Sequence, residues 1–213
     1  MSEPDATPGQ DGEEGEALLQ RTIEHRARMA ERRESLRAEL AQLLQGRSRF
    51  VWEVGCGHGH FLTGFADAHP EAFCIGVDII EDRILRGERK RRRAELDNLH
   101  FMRAEATMFL EQVPEGVLFE SVFILFPDPW PKKRHHKNRI MQAGFLSDVA
   151  KRCAPGAALH FRTDYAPYFE AATEVVRAHP DWRLSPETPW PFELETVFQS
   201  RAEAYQSMIA VRR

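Results

Sequence analysis

Phe50-Val51-Trp52-Glu53-Val54-Gly55-Cys56-Gly57-His58-Gly59-His60-Phe61 decides the fold. The first five residues, apolar at all but one position, read as a buried strand. Gly55 to Gly59 form a glycine-rich turn, and a helix is predicted over Phe61 to Ala68, ending near His69-Pro70. The same alternation continues downstream. A strand is predicted over Phe73 to Asp78, then a strongly basic helix through Arg83, Arg86, Arg89, Lys90, Arg91, Arg92 and Arg93. Leu99 to Met102 is a third strand, Thr107 to Val113 a short helix, and Leu118 to Phe126 the most apolar run, hence a central strand. Helices are expected over 140–153 and 166–178, with a fifth strand at 157–162 between them. The tail from Trp182 to Arg213 reads as strands, Tyr205 to Val211 best of all. Upstream, Leu18, Leu19, Ile23, Leu36, Leu40, Leu43 and Leu44 among Ala, Glu, Gln and Arg predict a helix over 17–45, with Gly46 as its stop. Alternating strands and helices mean an α/β fold, a doubly wound, mostly parallel sheet with helices on both faces. Such sheets bind ligands at the carboxyl ends of their strands.

Length and charge bound the rest. A chain of 213 residues suits one domain with decorations, expected over 17–213, with 17–45 as an N-terminal helix and 49–213 as the core. Residues 1–16 hold six acids, Glu3, Asp5, Asp11, Glu13, Glu14 and Glu16, and no Lys or Arg; with Gly and Pro they read as a disordered acidic tail. Setting those six aside from 33 acids leaves 27 against 29 basic residues, so the formal net charge of −4 hides a slightly basic remainder. No run is apolar enough to span a membrane, no secretory signal is visible, and the scattered Cys56, Cys74 and Cys153 suit a reducing cytoplasm. Neither the cysteines nor the nine histidines show zinc spacing, so no metal is expected.

The glycine turn carries the first functional reading. Its GxGxG spacing, through Gly55, Gly57 and Gly59 with Cys56 between, is tighter than the GxGxxG of dinucleotide sites, and Glu53 stands two residues before it. A carboxylate there would repel a pyrophosphate. It suits a cationic ligand such as S-adenosyl-L-methionine, which carries an ammonium and a sulfonium and no phosphate. Asp78, at the end of the second strand, stands where an acid accepts bonds from ribose hydroxyls; Glu105, just past the third, could accept from an adenine amino group. Any one of these acids alone would more often be a solvated strand end or a helix cap. Nicotinamide binding is the main rival reading.

The central strand runs into Phe126-Pro127-Asp128-Pro129-Trp130-Pro131-Lys132-Lys133-Arg134-His135-His136-Lys137-Asn138-Arg139. Prolines on both sides restrict the backbone of Asp128, Trp130 offers a flat surface to a base, and the cations suit phosphates. This segment closely resembles the signature of bacterial tRNA (guanine-N7-)-methyltransferases. Phe161-Arg162-Thr163-Asp164-Tyr165 with Tyr168, and Thr196-Val197-Phe198-Gln199-Ser200-Arg201, are similar to that family's later substrate segments.

The resemblance implies a Rossmann-like class I methyltransferase fold with a seven-stranded sheet. It implies that Glu53, Asp78, Glu105 and Asp128 surround S-adenosyl-L-methionine beside the Gly55, Cys56, Gly57, Gly59 loop, and that Asp128 is the catalytic position. Lys132, Asp164, Thr196, Val197, Phe198 and Gln199 would contact the substrate, and Lys133, Arg134, His135, His136, Lys137 and Arg139 would meet RNA. The implied activity is methyl transfer to N7 of a guanine in the tRNA variable loop, in the cytoplasm, by a monomer or homodimer with no obligatory protein partner. Trp130, Tyr165 and Phe198 are candidate walls of a base pocket. This chain has Gln199 where the family usually has Glu, and Asp78 and Glu105 exchange the family's usual acid lengths. The rival readings are methylation at another nucleobase position and a non-catalytic RNA-binding module.

Overall fold

The computed structural model describes residues 10–194 and 204–213. Strand β1 (Arg49–Val54) is apolar on both faces and sits mid-sheet. Phe50, Trp52 and Val54 point into one core cluster, and Val51 points into the other. It pairs in parallel with β2 (Cys74–Asp78) and β4 (Leu118–Leu125); β2 carries β3 (Leu99–Arg103), and β4 carries β5 (Cys153–Thr163), all parallel. The last strand, β7 (Gln206–Arg212), lies antiparallel between β5 and the short β6 (Trp182–Leu184), giving the order β3-β2-β1-β4-β5-β7-β6. The order reverses at β1, so a crevice opens between the carboxyl ends of β1 and β4.

On one face lie α1 (Gln10–Leu43), α4 (Ala106–Gln112), α5 (Ala143–Lys151) and α6 (Ala166–Ala178). Their side of the core centres on Trp52, whose indole stacks between Phe109 at 5.1 Å and Phe119 at 4.9 Å. Leu36, Leu40 and Leu44, one helical turn apart, bury the end of α1 in that cluster. The helix begins at Gln10 rather than at residue 17, inside the stretch expected to be a disordered tail, and Leu18, Leu19 and Ile23 stay exposed. On the other face α2 (His60–Ala68) and α3 (Glu81–Arg93) cover Leu99, Phe101 and Phe123.

A cluster of glycines sets how close those helices come. A Cβ on Gly59, Gly76 or Gly87 would run into the ring of Phe101. The turn, the middle of β2 and the middle of α3 therefore close on one phenyl ring. The remaining boundaries match the expected elements to within a few residues, except that β5 starts at Cys153 and the cationic run after Pro131 coils into a 3₁₀ turn, Lys133–Asn138.

Candidate active site

The turn after β1 is left-handed at Gly55, Gly57 and Gly59, with φ of 69°, 54° and 66°. A side chain is strained at each of these positions. The turn is tied to β2: Cys56 N–H donates to the Val77 carbonyl at 2.9 Å, and Gly57 N–H donates to Asp78 Oδ2 at 3.1 Å. Asp78 is buried and also accepts from Ile80 N–H at 2.9 Å and Arg83 Nη1 at 3.2 Å. The acid expected as a ribose partner thus anchors the loop.

Glu53 lies beneath the turn. Burial holds its carboxyl up at about 8; the Leu62 N–H in the first turn of α2 partly opposes this, and the negative Asp78 adds to it. Its Oε2 is buried with no hydrogen-bond partner. An acceptor left so costs about 1–3 kcal/mol, a debt that a ligand bearing N–H donors or positive charge would remove. The buried acceptor and the glycine-rich turn fit a cationic, phosphate-free ligand.

The crevice itself is a cleft of about 360 Å³. Val77, Ile79, Ala104 and Ile124 give it apolar walls, while Asp78, Glu105, Asp128 and Trp130 stand along it. Glu105 serves as the cap of α4: its Oε1 accepts Thr107 N–H at 3.1 Å and its Oε2 accepts Met108 N–H at 3.0 Å. The carboxylate keeps lone pairs for a ligand, but the backbone sets its orientation.

At the far side β4 ends in strain. Phe126 and Trp130 both have positive φ, 49° and 43°. Phe126 is held by its N–H donating to the Arg162 carbonyl at 2.8 Å. Between them Asp128 is exposed, and among the described residues no donor engages its carboxylate. Non-glycine residues in this region persist only where the surroundings hold them, and such positions gather at functional sites.

Lys132, Lys133, Arg134 and Lys137 lie exposed on the 3₁₀ turn and its entry, His135 packs edge-on to Trp130 at 5.7 Å, and His136 is half-buried. Arg139 departs from the expectation of an RNA-facing cation. It is buried, its Nε donates to the Pro129 carbonyl at 2.8 Å, and its guanidinium lies 4.7 Å from the Tyr168 ring centre. It braces the Asp128 loop from below. Asp164 is exposed just past β5, and Tyr165 is half-buried. Thr196, Val197, Phe198 and Gln199 lie outside the described residues.

Two residues that the sequence reading quoted only within longer segments take places of their own. Asn138 lines the cleft from the end of the 3₁₀ turn. Arg162 is buried at the end of β5, pairs with both carboxylate oxygens of Glu193 at 3.0 and 3.1 Å, and stacks 4.0 Å from the Trp190 ring centre. It ties the 190–194 segment across the end of the sheet. Its partners lie about thirty residues downstream, so no local pattern announced it. Among the described residues no group of three His, Cys, Asp or Glu could hold a metal ion, and no helix is long and apolar enough to cross a membrane.

Comparison with known proteins places this geometry. A family model described as "Putative methyltransferase" matches residues 47–209. The tRNA (guanine-N(7)-)-methyltransferase of Chromohalobacter salexigens is 37% identical over 183 residues, 82% of this chain and 72% of that protein. Those of Alkalilimnicola ehrlichii and Caulobacter vibrioides are 38% and 36% identical over 63% and 68% of this chain. The matched stretch spans only 57% and 64% of their own lengths. Among solved structures, the aminoglycoside resistance methyltransferase NpmB1 superposes with a TM-score of 0.55 at 19% identity, over 83% of this chain and 93% of its own. A precorrin-6y C5,15-methyltransferase from Geobacter metallireducens gives 0.52 at 12%, over 83% and 86%. At such identities the likeness concerns the fold, which is that of Rossmann-like class I methyltransferases.

Proposed function

The chain belongs to the bacterial tRNA (guanine-N7-)-methyltransferase family, and from that premise we propose that it methylates N7 of a guanine in the tRNA variable loop, with S-adenosyl-L-methionine as donor. One observation carries the reading: two carboxyl groups with free hydrogen-bonding capacity, one of them lacking a partner only at Oε2, stand at the ends of neighbouring strands. Glu53 Oε2 is buried beneath the glycine turn, and Asp128 is exposed on a strained loop along the cleft that begins at that turn. The first suits a cationic ligand held in place; the second suits a group that arrives from solvent.

When bound, the cofactor supplies a methyl group activated on a sulfonium. Glu53 would hold its ammonium, Asp78 its ribose hydroxyls and Glu105 its adenine edge, with the Gly55–Gly59 backbone around it. Guanine N7 carries a lone pair and no proton, so the chain need not supply a base for that atom; it must hold the ring at the right approach. Asp128 is the group placed to do so. Its carboxylate can accept from the guanine N–H groups and stabilise the positive charge that grows on the ring as N7 is alkylated. The left-handed backbone at Phe126 and Trp130, with Arg139 donating to the Pro129 carbonyl, would fix the loop that carries that carboxylate. Trp130 offers a stacking face, and Lys132, Lys133, Arg134 and Lys137 offer phosphate contacts outside it. Lys132, Asp164 and the 196–199 segment remain the proposed contacts to the substrate itself.

The test is transfer of labelled methyl from S-adenosyl-L-methionine to unmodified tRNA, followed by cleavage chemistry specific for N7-methylguanine. Label at a variable-loop guanine is the expected result. Label without N7-specific cleavage would move the target to another nucleobase position, and absence of label in any tRNA would sink the reading.

A further inference from the structure

A second, smaller cavity of about 80 Å³ adjoins the cleft, and Gly55, Gly57, Leu125 and Phe126 line both. Its other walls include Glu53, Phe61 and Lys90. The sequence reading counted Lys90 among the cations of a strongly basic helix. The structure turns it inward: Lys90 Nζ donates to the His58 carbonyl, within the glycine turn, at 2.7 Å. Gly87, one turn earlier on α3, allows this by letting the helix close on Phe101.

Lys90 is the cation of that helix that lines the small cavity. Arg83 pairs with Asp78, Arg86 with Asp82 and Arg91 with Glu88, whereas among the described residues no carboxylate pairs with Lys90. The His58 carbonyl takes one of its three N–H donors. Burial and the adjacent Arg86 push its ammonium below its usual pKa, and burial, Arg86 and Lys90 do the same to His58. Cations on α3 thus oppose further positive charge beside the turn. Another wall of the same small cavity is Glu53, whose buried Oε2 lacks a donor. One wall asks for an anion and the other for a cation, within a space the size of an amino-acid head group. A ligand with one kind of charge would satisfy only one wall.

We propose that Lys90 binds the carboxylate of the cofactor's amino-acid end, while Glu53 takes its ammonium, so that the two side chains select a zwitterion. This rests on the cofactor reading above and adds a residue to it.

The test compares two ligands that carry no transferable methyl. S-adenosylhomocysteine has the amine and the carboxylate; S-adenosyl-3-thiopropylamine keeps the amine and lacks the carboxylate. Calorimetric titration of the full chain is expected to show the wild type preferring the first by about tenfold or more, as for a charge-assisted bond. Lys90→Met should weaken S-adenosylhomocysteine by about that factor, leave the amine analogue within about twofold, and so erase the preference. Lys90→Gln repeats the comparison with a different neutral side chain should the first variant fold poorly. Equal weakening of both ligands would mean that Lys90 only steadies the turn through the His58 carbonyl, and would overturn the assignment. So would a wild type with no preference. A wild type that binds neither ligand would overturn the cofactor reading itself.

Discussion

Asp78 Oδ2 accepts the backbone N–H of Gly57 at 3.1 Å, so the end of β2 holds the turn that follows β1. The same carboxylate engages Ile80 N–H and Arg83. With the proposed ribose contact, stability and ligand binding would be coupled at one residue. Asp78→Ala is expected to cost about 2–3 kcal/mol in urea unfolding, because backbone donors lose a charged acceptor. It should weaken S-adenosylhomocysteine binding in the same variant. Loss of affinity at unchanged stability would show that Asp78 meets the ligand without anchoring the loop.

Gly59 and Gly55 separate two effects. Both have a left-handed backbone, but only at Gly59 would a Cβ meet Phe101, whereas Gly55 has open space. Gly55→Ala should cost about 1–2 kcal/mol for the backbone alone. Gly59→Ala should add about 1–3 kcal/mol of overpacking. Replacing Phe101 by Leu in the Gly59→Ala background should recover part of the second loss and none of the first. Equal costs at the two glycines would contradict the packing account.

Glu53 predicts proton release. With its carboxyl held at about 8 by burial, it is mostly protonated at pH 6.5, where an α-amino group is charged. Pairing with an ammonium requires the carboxylate, so binding should release close to one proton, read as a buffer-dependent enthalpy; Glu53→Gln should abolish it. The sign for stability follows from the same shift. A carboxyl whose folded pKa is raised contributes stability that is fully present below its unfolded pKa, near 4.3, and is lost as pH rises through about 8. The free protein should therefore lose stability over that window, and Glu53→Gln should flatten the loss.

Asp128 is exposed and unengaged, so its removal disturbs little else. Asp128→Ala should keep S-adenosylhomocysteine affinity within about threefold and lose about 10² or more of turnover on tRNA, in line with loss of an electrostatic group aimed at developing charge. Full turnover in that variant would remove it from the mechanism.

The cations of the loop should divide by burial. Lys133 and Lys137 are exposed, so Ala at either should lower tRNA affinity and reduce the salt slope by about one. Arg139 is buried against Pro129 and Tyr168, so Arg139→Ala should destabilise the loop and leave the slope nearly unchanged. A reduced slope for Arg139→Ala would return it to the RNA-facing set.

Most of the architecture was legible because it rests on local periodicity. Apolar runs of strand length separated by helical patterns announce a parallel sheet, and a glycine turn after the first strand marks its crevice. The acids at strand ends were visible for the same reason. What each does was legible only where its donors are local: Thr107 and Met108 claim Glu105 from the very next turn, as a helix cap would, whereas Gly57, which binds Asp78, lies 21 residues away.

By itself the amino-acid sequence determined the order of strands and helices and the chemical types gathered at the candidate site, since hydrophobic pattern and turn residues act over a few positions. Only the tertiary structure decided which charges face outward. Arg139 and Lys90 sit in basic runs indistinguishable from their neighbours. Packing against Tyr168 buries the first, and the close approach of α3 to Phe101 aims the second at the glycine turn. A charge's surroundings are a property of the folded chain, because its solvation and its partners come from residues remote in sequence.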